Sequence, residues 1–261
     1  MKTRAIICII IFNLILMSSC WAQRPMNADD LLKPSSRIES FTFLSKGENI
    51  KGKIYLPASF RNNANLPAIF LIDYTEQHFK LATDEFEQVI AGVQQLPDFD
   101  ALVVSLENIP DIDAEPKTFQ DNYEVFKSMA LHVHDKYTQN TSRTFIGKGS
   151  EGGLVLMALF VDPAQTTMFD NFIVTDPSPL YAQEIINLIE EDSIQKIKQN
   201  LKLHFSFSTS NDRSKCTELI NLIKKAQFPW LQFESIEYTD SNYENTYPIS
   251  YAAGINYIFR E

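Results

Sequence analysis

The sequence predicts an α/β protein: a three-layer sandwich with a mostly parallel central sheet, entered through an N-terminal antiparallel hairpin. Three observations carry this. Short, largely apolar runs recur along the chain, as in strands buried on both faces. Longer amphipathic segments alternate with them, the order that builds a parallel sheet with helical crossovers. Ahead of both, "IESFTFLSKGENIKGKIYLP" alternates with period two and turns at Lys46-Gly47-Glu48-Asn49.

The elements follow in order. "MKTRAIICIIIFNLILMSSCWAQ" opens with Lys2 and Arg4 before an apolar stretch from Ala5 to Met17, the pattern of a signal peptide. Cleavage after Ala22 is the expectation, so residues 1–22 are the leader and the protein is exported, periplasmic or secreted. Lipidation at Cys20 is the alternative. Residues 23–36 are polar and read as a linker, leaving 37–261 as one domain. The hairpin spans 38–57. Strands are expected at 68–73, 101–106, 144–147, 171–176, 203–208 and 233–238. Helices are expected at about 82–96, 118–138, 151–161, 181–199, 213–226 and 248–259. In 118–138, Phe119, Tyr123, Phe126, Ala130 and Val133 recur at helical spacing and mark one buried face. Ligands of such sheets sit beyond the strands' carboxyl ends, so chemistry is expected in the loops that begin at Asp73, Leu106, Gly147, Asp176, Ser208 and Tyr238.

Composition narrows the function. The net charge is −10 and no basic run is present, which argues against a nucleic-acid partner. Of the three cysteines, Cys8 and Cys20 lie in the leader, so only Cys216 remains after cleavage and no internal disulfide forms. No apolar stretch beyond the leader is long enough to span a bilayer. No spacing of His, Cys, Asp and Glu suggests a metal site, and "GKGSEGG" fits neither a P-loop nor a dinucleotide fingerprint. No metal and no cofactor are expected. The acidic "DIDAE" at 111–115 reads as a solvated loop.

"FIGKGSEGGLVLMALF" carries the chemistry. An apolar strand enters a Gly-rich corner and an apolar helix leaves it, which is where a serine hydrolase exposes its nucleophile. Ser150 sits at that corner. Gly152 and Gly153 meet the demand for small residues after it, whereas Lys148 stands where a small residue should precede it. The competing structural reading makes Ser150 a helix N-cap.

From about residue 38 to 259 the chain resembles the esterase family of α/β-hydrolases that includes enterobactin esterases and esterase D-like enzymes. The resemblance lies in "FTFLSKGENIKGKIYLPASF", "LPAIFLIDYTEQHF", "FKSMALHVHDKYTQNTSRTFIGKGSEGG", "MFDNFIVTDPSPLY" and "YTDSNYENTYPISYAAGINYIF". It implies an α/β-hydrolase fold with a Ser-His-acid triad. Ser150 takes the nucleophile position and Asp212, in "TSNDR", the acid position. Backbone N–H groups of Tyr74 and Glu151 would form the oxyanion hole. Counting back from Pro248 and Gly254, the catalytic His position falls on Tyr243.

A tyrosine there leaves the serine without a base, because a phenol titrates near pH ~10. His78, in the loop after the strand ending at Asp73, is the candidate substitute. Lys148 is a weaker one, since strand alternation turns it away from Ser150. His132, His134 and His204 read as packing or surface residues. Tyr74, Tyr181, Tyr243 and Tyr247 could line a cleft, and Asp240 and Glu244 would add carboxylates at its mouth. Two readings follow. One is an exported esterase using Ser150 on a small or carbohydrate-linked ester. The alternative is a catalytically inactive pseudoesterase that binds a ligand or protein through the former cleft.

Overall fold

The computed structural model describes residues 35–72, 85–107, 116–161, 168–191 and 200–260. The leader, most of the linker, the loop carrying Asp73, Tyr74 and His78, and the acidic loop at 111–115 lie outside the described residues.

Among the described residues, eight strands form one sheet: β1 (Arg37–Ser45), β2 (Glu48–Leu56), β3 (Ala68–Leu71), β4 (Leu102–Leu106), β5 (Arg143–Lys148), β6 (Asn171–Thr175), β7 (Leu201–Ser208) and β8 (Leu231–Tyr238). Their order is β1-β2-β4-β3-β5-β6-β7-β8. β1 and β2 form the expected hairpin, turning at Lys46-Gly47, and β2 joins β4 antiparallel. Every other pairing is parallel. β3 to β6 are largely apolar and, apart from the half-buried Arg143, buried throughout, because helices cover both faces of the sheet.

Among the described residues, six α-helices complete the sandwich: α1 (Glu85–Gln94), α2 (Phe119–Lys136), α3 (Gly149–Val161), α4 (Pro179–Glu190), α5 (Arg213–Ala226) and α6 (Thr246–Phe259). α1 and α6 pack on one face through Val89, Ile90, Tyr251 and Ile255 against Ile69, Val103, Ile146 and Ile173. α2 to α5 cover the other face in a larger core that includes Phe126, Leu156, Tyr181 and Leu219. α3 is apolar nearly all round and buried from Gly152 to Phe160, as befits a helix between sheet and neighbouring helices. Among the described residues, no helix is long and apolar enough to cross a membrane.

The expected elements are present, and most boundaries move by one to three residues. Two shifts matter. α4 begins at Pro179, where a missing N–H costs nothing, and ends at Glu190; residues 192–199 lie outside the description. α3 begins at Gly149 rather than at the expected residue 151. Lys148 still pairs with Thr175 in the sheet, so strand becomes helix within one residue.

Candidate active site

The carboxyl ends of β5 to β8 open on a cavity of about 290 Å³. Gly149 and Ser150 line it after β5, and Asp176 to Pro179 after β6. Ser210, Asn211 and Asp212 contribute from the β7 loop, and Tyr243 from the β8 loop. These are strand-end loops, where a parallel sheet gathers its ligand contacts.

Gly149 makes the corner. Its φ of +64° lies in the left-handed region, which a Cβ disfavours. Two residues earlier, a Cβ on Gly147 would lie 2.8 Å from the carbonyl carbon of Glu151. That close approach lets the first turn of α3 fold back over the end of β5. Ser178 N–H donates to the Gly149 carbonyl at 2.9 Å, tying the β5 and β6 loops together. Ser150 is therefore half-buried inside the first helical turn, on the cavity wall, rather than ahead of the helix as an N-cap. The leading N–H groups of α3 form the positive end of the helix.

Lys148 points to the opposite face, as strand alternation requires. Its ammonium pairs with Glu85 at 3.1 Å and lies 4.6 Å from the Tyr243 ring centre and 4.4 Å from that of Tyr247. The Tyr251 hydroxyl donates to the other Glu85 oxygen.

The β8–α6 loop is set by its own side chains. Asn242 Oδ1 accepts from the N–H groups of Glu244 and Asn245, and Asn245 Oδ1 accepts from Asn242 N–H. Thr246 Oγ1 donates to Ser241 Oγ at 2.9 Å. This arrangement presents Tyr243, 42% exposed, at the cavity. Its hydroxyl stands directly over Gly149: a Cβ built on that glycine collides with Tyr243 Oη and lies 3.2 Å from Cζ.

Asp212 is exposed and caps α5, accepting from Lys215 N–H at 3.0 Å. A second carboxylate, not singled out from the sequence, lies deeper. Asp176 is 2% exposed and has φ +45°. Its Oδ1 accepts from Ser208 N–H at 2.6 Å and from Ser208 Oγ at 3.0 Å. Its Oδ2 is buried with no hydrogen-bond partner among the described residues. The signal available in the sequence was an Asp closing the apolar strand "NFIVTD" directly before a proline.

The remaining candidates divide clearly. Tyr181 is core: its ring fills the space beside Gly153, where a Cβ would meet Tyr181 Cβ at 2.7 Å. Tyr247 is also core, buried over Lys148. Asp240 and Glu244 are exposed and outside the cavity wall. His132 stacks on Phe41, at 5.3 Å between ring centres. Burial first, then the Lys136 charge, lowers its pKa. His134 lies on the same helix, α2, with a buried Nδ1. His204 is fully buried in β7, with Nδ1 2.8 Å from Glu234 Oε2. Among the described residues, no group of three or more His, Cys, Asp and Glu could hold a metal.

Neither a family model nor a curated protein sequence matches this chain. Solved structures do. An IroE-like serine hydrolase from Shewanella oneidensis superposes with a TM-score of 0.63 at 16% identity, over 85% of this chain and 80% of that one. The siderophore hydrolase EstA from Aspergillus nidulans gives 0.64 at 14% identity, over 92% of this chain and 98% of that one. EstB from the same organism gives 0.64 at 15% identity, over 90% and 97%. The fold is the α/β-hydrolase fold that these solved structures share, with an antiparallel hairpin at one edge of a mostly parallel sheet.

Proposed function

We propose that this chain is an esterase-fold protein that does not hydrolyse esters and binds a ligand through the cavity at its strand ends. One observation carries the reading: the Tyr243 hydroxyl stands against Gly149 at the strand-helix turn, in the loop where the resemblance expects an imidazole. A serine hydroxyl attacks only when a base takes its proton, and a phenol is a poor proton acceptor near neutral pH. Losing the base of a triad lowers the rate by several orders of magnitude.

The cavity wall supports binding. Ser150, Ser178, Ser210, Asp176 and Asp212 offer hydroxyls and carboxylates, with Pro177, Pro179 and Tyr243 as apolar surfaces. The orphaned Asp176 Oδ2 carries a desolvation cost that a donating ligand hydroxyl or amine would offset. An ester is the ligand class in keeping with the esterases and siderophore hydrolases of similar fold; a small or carbohydrate-linked ester is the form we propose.

The test is direct. Wild-type protein is expected to take up no fluorophosphonate probe and to turn over p-nitrophenyl acetate no faster than Ser150→Ala. The second reading, a serine esterase, is favoured by the shared position of Ser150, Asp212 and Tyr243 on one cavity wall. Labelling that disappears in Ser150→Ala would establish it instead.

A further inference from the structure

We infer that the nucleophile position of this fold is held by Gly149, not Ser150, and that the Tyr243 hydroxyl occupies the space of the side chain missing there. The inference rests on the esterase-fold reading and concerns which residue stands at the reactive corner.

A nucleophile elbow places its attacking residue at the single strained position where strand becomes helix. In this chain that residue is Gly149: Lys148 still pairs with Thr175, α3 begins at Gly149, and φ there is +64°. Ser150 has no left-handed φ and lies within the helix. The glycine before the corner gives the same register. Gly147, two residues before Gly149, approaches the backbone of Glu151, two residues after it, so closely that a Cβ would meet it at 2.8 Å. In the register centred on Ser150, that slot would hold Lys148, whose side chain lies buried in the opposite layer against Glu85. In this register "GKGSE" keeps the glycine before the corner, while Glu151 stands where the motif has its second glycine, so the close approach of Gly147 and the backbone angle at Gly149 decide the frame.

The direction of the missing side chain identifies its partner. The Cα–Cβ vector of Gly149 points at Tyr243 Oη. In a working site that vector carries the nucleophile toward its base. Here the two positions are complementary: residue 149 carries no side chain, and the phenol opposite fills that space. Either partner restored alone would not fit. A hydroxymethyl on residue 149 would overlap the phenol. An imidazole at 243 would face a glycine, with the Ser150 hydroxyl one residue further along the helix.

The decisive measurement is thermal unfolding of four proteins: wild type, Gly149→Ala, Tyr243→Ala and the double variant. Gly149→Ala is expected to lower Tm by at least about 5 °C in the wild-type background. In the Tyr243→Ala background it should cost less than half as much, since only the strain of a Cβ at positive φ remains. Equal losses in the two backgrounds would overturn the inference. A second measurement does not depend on Gly149→Ala folding. Tyr243→His alone is expected to stay unlabelled by the fluorophosphonate probe. Labelling gained by Tyr243→His and lost on adding Ser150→Ala would overturn the assignment of Gly149 while leaving the silent wild type intact. Labelling of the wild type at Ser150 would overturn both.

Discussion

Lys148 ties the candidate site to the core beneath it. Its side chain is 5% exposed, pairs through the ammonium with Glu85, whose side chain is 15% exposed, and lies against the rings of Tyr243 and Tyr247. At such burial the attraction between the charges is offset by the cost of removing them from water, so the pair adds little by itself. Removing one partner is another matter. Lys148→Met leaves Glu85 charged, enclosed and short of a partner, and is expected to cost about 3 kcal/mol in urea unfolding. The double variant Lys148→Met, Glu85→Gln should recover a large part of that loss. The same substitution removes the cation over the Tyr243 ring, so it loosens the contact of the phenol with Gly149.

At the scale of elements, the join between α6 and the sheet is polar where most of the core is apolar. Ser250 Oγ on α6 contacts both Thr175 Oγ1 on β6 and Ser206 Oγ on β7. Two residues before Ser206 in β7, His204 faces α6, where a Cβ on Gly254 would come within 3.0 Å of its ring. Tyr257 lies 6.1 Å away between ring centres. Burial lowers the His204 pKa from the usual 6.5, and the hydrogen bond to the Glu234 carboxylate, with its charge, opposes that only in part. The sign follows. With the folded pKa below the unfolded one, the unfolded chain takes up the proton first. Stability is then complete above about pH 6.5 and falls as pH drops through the window between the two values. Urea midpoints measured from pH 7 to pH 5 should decline in the wild type and decline less in His204→Gln.

Over the whole molecule, the architecture was legible in the sequence because it depends on period and burial. Runs such as "ALVVSL" and "NFIVTD" can be buried on both faces only as inner strands, and they are. The chemistry depends on a single residue of register, which composition does not fix. "GKGSEGG" offers small residues in two frames, and only the backbone angle at Gly149 and the phenol above it choose between them. Tyr181 and Tyr247 looked like cleft residues because aromatic side chains suit both cores and clefts. Asp176 was missed because its burial arises from tertiary packing against Ser208 and Asn211. Cys216 on α5, buried in the larger core, carries a thiol that can report on the stability of the whole fold. Burial, then the charges of Asp176, Asp212 and Glu237, pushes its pKa up to about 12. The thiolate is the reactive form, so the native thiol should be inert to a disulfide reagent at pH 8. Modification then requires an opening that exposes α5. If that opening is global unfolding, a variant about 3 kcal/mol less stable, such as Lys148→Met, should label about 100-fold faster. Mass spectrometry of the Cys216 peptide reads the rate. An unchanged rate would mean that α5 opens alone, and that the layer beneath the candidate site is less cooperative than its packing implies.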